Sequence, residues 1–191
     1  MMRRQTIAAL AITLLLTGCF GGDDDSINGA PTGMHTYATN EFRIAIPNAW
    51  EILEAHQFTS DIPPNTLIAF RNNVRNENFT ANVAIIRNPL AEEISTSDYA
   101  RLLVEKLKTE LIGYRELQIE NRTIQVGENQ HNTLFIYVEG RDHAASDLKQ
   151  FIQISGVKEK NAYIAIGSFL ADEAETTADL VGSMIRSFEM R

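Results

Sequence analysis

The chain has one cysteine, one tryptophan, five prolines and four histidines in 191 residues, and its 17 basic residues are outnumbered by 25 acidic ones. One cysteine leaves no partner for an internal disulfide. A formal net charge of −8 argues against a nucleic-acid partner, because affinity for phosphate backbones comes mainly from Lys and Arg. The same deficit disfavours adhesion to anionic lipid headgroups by charge alone. None of His35, His56, His131 and His143 pairs with another as H-x-H, H-x-x-x-H or H-E-x-x-H. No Walker loop or dinucleotide fingerprint is present, and Gly167-Ser168 lacks the second glycine of a nucleophile elbow. The apolar fraction of 44% and charged fraction of 22% are those of a globular protein with an ordinary core.

The N-terminus supplies an address. Arg3 and Arg4 precede a mostly apolar run from Ile7 to Leu16, broken by Thr13. This is the n-region and h-region of a secretory signal. As a helix the run covers roughly 15 Å, about half a bilayer core, too little to span. Leu16-Thr17-Gly18-Cys19 follows directly and resembles the lipobox of bacterial lipoproteins. The resemblance implies cleavage before Cys19, with Leu16, Thr17 and Gly18 read by the signal peptidase and lipid attached to the Cys19 sulfur. Two or more acyl chains give stable anchoring where one gives marginal binding. Acylated Cys19 would leave no free thiol for redox chemistry or a Cys-based zinc site. Residues 1–18 are therefore expected to be a lipoprotein signal peptide and 19–33 a flexible acidic tether. The tether carries Asp23-Asp24-Asp25 and four glycines, and has a typical reach of roughly 20 Å.

Residues 34–191 read as one α+β domain. Phe42-Arg43-Ile44-Ala45-Ile46 alternates and ends at Pro47, a half-buried strand, and Trp50 to Glu54 can form a returning strand. Leu67 to Arg71 and Thr80 to Arg87 are strands; Val83/Ile85 and Ala84/Ile86 make the second apolar on both faces. Ser95 to Ile112 reads as a helix with a cap at Ser95, Thr96 or Ser97. Its stripe is Tyr99, Leu102, Leu103, Leu107 and Leu111. Four strands follow, over Glu116 to Val126, Asn132 to Gly140, Leu148 to Lys158 and Ala162 to Phe169. Leu134 to Val138 is the central one, and a hairpin turn lies at Lys158 to Asn161. Asp172 to Met190 is a final helix with Asp172 and Glu175 at capping spacing, buried through Ala178, Val181, Ile185 and Phe188. Short turns between strands argue for a single antiparallel β-sheet flanked by helices.

The opening TYATNEFRIAIPNAWEI, Thr36 to Ile52, a helix after the fourth strand and the terminal strand–strand–helix unit ending MIRSFEM resemble the PsbP-like superfamily. That resemblance implies an α–β–α sandwich over nearly all of Thr36 to Arg191, and a domain that binds other proteins. It carries over no functional residues, and a fold does not by itself confer an activity.

Several side chains could carry chemistry. Asp142, His143 and Asp147 are close enough in sequence for a metal, although a polar hairpin loop is the favoured reading. Trp50, between Ile46 and Ile52, could stack on a ligand, although a core role is favoured. Glu92-Glu93 and Asp172-Glu173 stand at helix starts, where acids suit the dipole. The expectation is a noncatalytic, membrane-anchored envelope lipoprotein that contacts another envelope protein, with no cofactor. The alternative is a small-ligand or metal-binding lipoprotein associated with a transporter.

Overall fold

The structure, a computed structural model, describes residues 33–58, 62–75 and 77–191. The expected signal peptide, the Leu16-Thr17-Gly18-Cys19 motif and the expected tether up to residue 32 lie outside the described residues. Ten strands and two helices run in the order β1 (Met34–Ala38), β2 (Phe42–Pro47), β3 (Glu51–Glu54), β4 (Thr66–Arg71), β5 (Asn82–Pro89), α1 (Thr96–Glu110), β6 (Ile112–Val126), β7 (Asn129–Arg141), β8 (Lys149–Lys158), β9 (Asn161–Leu170), α2 (Glu175–Arg186) and β10 (Glu189–Met190). One 3-10 turn, Ala55–Gln57, comes after β3.

All ten strands form one sheet, in the order β1-β2-β10-β6-β7-β8-β9-β5-β4-β3. The expected purely antiparallel sheet is corrected in one place, since β10 runs parallel to β6, Met190 opposite Val126. The expected flanking layers are corrected too: each face carries one helix, and the rest of one face is closed by curling of the sheet. Tyr37 on β1 and Phe70 on β4, near opposite ends of the strand order, meet edge-to-face with ring centroids 5.3 Å apart.

Alternation along the strands sorts the core into two faces. Ile44, Phe70, Val83, Ile85, Phe135 and Ile152 point into the hollow that α2 fills with Val181, Met184 and Ile185. Ile86, Ile136, Val138 and Ile164 point the other way, against Tyr99, Leu103 and Val104 of α1. The doubly apolar β5 and β7 are thus covered on both sides, as their composition predicts. Ser95 is the α1 cap and its hydroxyl accepts the Asp98 N–H at 3.1 Å. The helix stripe differs in one member: Leu102 is exposed, and Ala100 and Val104 take the inner positions.

Three further expectations are corrected. β3 does not return to β2; it pairs with β4. β1 occupies one edge of β2, while on the other edge β10 pairs with Phe42 and Arg43 and the Ser187 hydroxyl accepts the Ala45 N–H at 2.8 Å, so no edge remains. The final helix ends at Arg186, because Ser187 bonds to β2 and turns the chain into β10. It is preceded by Ala174, which makes no side-chain cap, so Asp172 does not fill that role. The turn after Lys158 is as expected, with Glu159 and Lys160 at φ 50° and 57°, the left-handed pair of a type I′ hairpin. Among the described residues, no helix is long and apolar enough to cross a membrane.

Helix α2 crosses β9 where the strand has no side chain. A Cβ on Gly167 would overlap the Val181 Cγ1 and press on Val83. Gly167→Ala should therefore lower stability by about 1–3 kcal/mol in urea unfolding, through overpacking. Adding Val181→Ala to that variant should cost less than the two single changes summed, since it removes the atom the new methyl strikes.

Candidate functional site

Antiparallel pairing brings the end of β7, the start of β8, the end of β9 and the approach to α2 to one end of the sheet. β7 contributes Tyr137 and Glu139 on the α2 face, following Phe135 at the period of two. Register shifts in β6 between Ile112 and Arg115 and between Glu116 and Gln118 set Arg115 beside Glu139. Bulges of this kind re-aim side chains.

Glu139 is the one charged residue among the described residues that is buried, at 7% exposure. Its Oε1 accepts from Arg115 Nε at 3.0 Å and Nη2 at 2.7 Å, and its Oε2 accepts from Gln150 Nε2 at 3.1 Å. The Tyr137 hydroxyl donates in turn to Gln150 Oε1. Burial pushes the Glu139 carboxyl upward, but the hydrogen bonds from Gln150 and Arg115 prevail and hold it below the usual glutamate range. Above Glu139 opens a pocket of about 440 Å³ with Leu148, Leu170 and Ala171 as apolar wall and Asp147 and Asp172 at its rim. Beside it, Lys149 donates to Asp142 Oδ2 at 2.9 Å and lies 4.4 Å from the centre of the Phe79 ring. Burial raises the Asp142 carboxyl, yet Ser146 and Lys149 outweigh it and bring it down to about 2.

A second depression, about 490 Å³, separates the β1–β2 turn from β3 and β4. Tyr37 lies on one wall and Leu67 on the other, with Glu54 and His56 at the rim. Burial, and then the charge of Glu54, push the Tyr37 hydroxyl above its usual range. Arg87 and Glu41 close the neighbouring seam at 2.7 Å.

The structure does not gather Asp142, His143 and Asp147 into a metal site. Asp142 turns to Lys149, His143 is tied to Ser146 through its own backbone, and Asp147 stands on the pocket rim. No group of three His, Cys, Asp or Glu side chains that could hold a metal occurs among the described residues. Trp50 is buried in the core. Ser168 donates to Asn82 Oδ1 at 3.2 Å. His35 pairs with Asn48 Oδ1 at 2.9 Å and His56 lies 3.5 Å from Glu54. Sequence reasoning passed over Glu139, Arg115, Tyr137 and Gln150. The available signal was Glu139 itself, a single acid directly after the apolar run Leu134 to Val138.

No family model matches the chain, and no curated protein matches it. Solved structures do. LpqN, involved in cell envelope biogenesis of Mycobacterium tuberculosis, has a TM-score of 0.56 at 14% identity, over 82% of this chain and 90% of that one. The cyanobacterial PsbP (CyanoP) of Synechocystis sp. PCC 6803 has a TM-score of 0.53 at 14% identity, over 91% and 100%. The Saccharomyces cerevisiae Ran-binding protein Mog1p has 0.51 at 12%, over 82% and 95%. At these identities the likeness is one of fold, and the fold is PsbP-like.

The Glu139 cluster carries a pH signature. A carboxyl whose folded pKa is depressed adds stability that is present above its unfolded pKa and is lost as pH falls through the folded value. Glu139 and Asp142 should both act this way, Asp142 mainly between about pH 4 and 2. Glu139→Ala should cost about 1–3 kcal/mol at pH 7, since it leaves Gln150 and Arg115 without their acceptor. In urea unfolding the gap to the wild type should narrow below about pH 4.5, where the carboxyl of the unfolded chain takes up a proton before that of the folded one does.

Proposed function

We propose that this chain is a lipid-anchored envelope protein whose PsbP-like domain is a noncatalytic interaction module outside the cytoplasm. The observation that carries the reading is Leu16-Thr17-Gly18-Cys19 placed directly after an apolar run and a basic start. Two things support it. Of the similar folds, LpqN is described as involved in cell envelope biogenesis. Glu139, the buried acid of the candidate pocket, is ionised and engaged through both oxygens by Arg115 and Gln150, an arrangement for holding shape rather than for giving up a proton. The partner in this reading is another envelope protein, met at the end of the domain that carries the Asp147 and Asp172 rim. The membrane is reached through the acyl chains on Cys19.

A small-ligand reading draws on the pocket of about 440 Å³ beside Glu139. Thermal shift with divalent metals and small cationic metabolites separates the two, because only a ligand-binding protein gains melting temperature at concentrations well above Kd.

For the anchor, Cys19→Ser should leave the leader uncleaved or release the protein from the membrane fraction. Processing and membrane retention identical to the wild type would reject lipidation. For the module, a photo-crosslinking residue at Asp172 should capture a discrete envelope protein in intact cells. Recovery of background alone there, and at the Tyr37 depression, would count against an interaction role.

A further inference from the structure

Among the described residues, β6 has a long open edge. β7 pairs with it from end to end, but on its other side only Val126 has a strand neighbour there, Met190 of β10. The register shifts of β6 lie before Gln118; from Gln118 to Val126 the pairing with β7 is regular. Val126 and Asn129 flank a two-residue turn with Gly127 at φ 59°. Such a turn makes its flanking residues a pair that exchanges both backbone hydrogen bonds. Bonded pairs then alternate along the ladder, so Gln118, Glu120, Arg122 and Ile124 bond to β7. Ile119, Asn121 and Thr123 direct their N–H and C=O groups outward. Asn121, Arg122 and Thr123 are all exposed in succession, as on an edge and not on one face. Between Gln118 and Ile124 there is no proline, no lysine and no bulge, three of the devices that protect a sheet edge.

We propose that this edge pairs with the same edge of a second copy of the chain, antiparallel about a two-fold axis at Asn121. In that register Ile119 of one copy lies opposite Thr123 of the other, Asn121 opposite Asn121, and all three pairs join outward-facing backbone groups. Glu120 then lies opposite Arg122 of the second copy, and the reverse, in the closer, non-bonded pairs of the ladder. The nearest shift in either direction that keeps the outward groups facing each other sets Glu120 opposite Glu120 or Arg122 opposite Arg122, and longer shifts run the second strand into β10 at Val126 or onto the register shift before Gln118. Like charges directly opposite are unfavourable, so the charge order Glu-x-Arg selects one register. Within one copy Glu120 already accepts from Arg122 at 2.7 Å, so the two charges stand ready on the same face. This self-complementarity, which a strand of unrelated sequence lacks, is the reason for choosing a second copy as occupant. The inference is independent of lipid anchoring.

The test uses the full chain in intact cells under a mild, membrane-permeant oxidant, so that it reads out whether or not the chain is anchored. Asn121→Cys should form a covalent dimer, because paired Cα atoms about 5.5 Å apart suit a disulfide. Thr123→Cys should not rise above the wild-type chain, which has Cys19 alone, since position 123 faces position 119. In the Asn121→Cys background, Glu120→Arg or Arg122→Glu should cut crosslinking by about tenfold, and the double exchange should restore it. Circular dichroism of the single variants checks that they fold. Equal crosslinking by Asn121→Cys and Thr123→Cys would overturn the proposal. So would no crosslinking above wild type, or folded single variants with unchanged yield.

Discussion

Helix α2 lies in the hollow of the sheet because β8 and β9 leave room beneath it. Gly167 admits Val181, and Gly156 admits the sulfur of Met190. The contact at Gly167 sets the depth of the helix, and that depth positions the last residues of the chain. Ser187 comes within reach of β2 and Phe188 enters the core. Glu189 and Met190 slot between β2 and β6. Glu189 is then held by Arg43, whose Nε donates at 2.6 Å. A two-residue strand has little pairing energy of its own. It joins two parts of the sheet because the helix before it is seated.

The same seating determines which polar groups lie under cover. Near its C-terminus Arg186 lies 4.3 Å from the centre of the Phe135 ring. Near its N-terminus the β7 strand runs on to Tyr137 and Glu139, where the apolar core gives way to a hydrogen-bonded chain ending on Arg115. A buried carboxylate is costly unless paired and hydrogen-bonded. Here the guanidinium stays largely in water while the acid is buried, so only one ion bears most of the desolvation.

Where one strand or helix carries its own period, the sequence was readable. The Ser95 cap with Asp98 and the turn after Lys158 are local, and each took the form its residues predict; Phe42 to Pro47 is the expected strand, but with Ala45 and Pro47 also buried it is more than half-buried. The likeness of Thr36 to Ile52 to the PsbP-like pattern also carried through to the fold. The unreadable part depends on contacts distant in sequence. β10 is too short to show a period. The placement of β3 results from β2 having both edges engaged. Arg115 and Glu139 are 24 positions apart, and meet only because β6 is bulged at the point where they face each other. No spacing rule encodes a bulge. Leu102 shows the converse, an apolar residue near a helical stripe that its neighbours displace from the core.

The two halves of β6 serve different ends. Before Gln118 its shifts in register turn Arg115 toward Glu139, and after it the ladder with β7 is regular up to the hairpin. A bulge adds local twist and interrupts the row of edge groups, so the first half of the strand is poorly shaped for a further strand. The regular half carries no such interruption, and its two charges have opposite signs two residues apart. Exposed charge on an edge ordinarily opposes edge-to-edge pairing; charge of alternating sign opposes the two in-phase registers on either side of the one in which it is matched. The irregular half of β6 thus builds the pocket wall, and the regular half keeps an uninterrupted edge whose charges match in the proposed register.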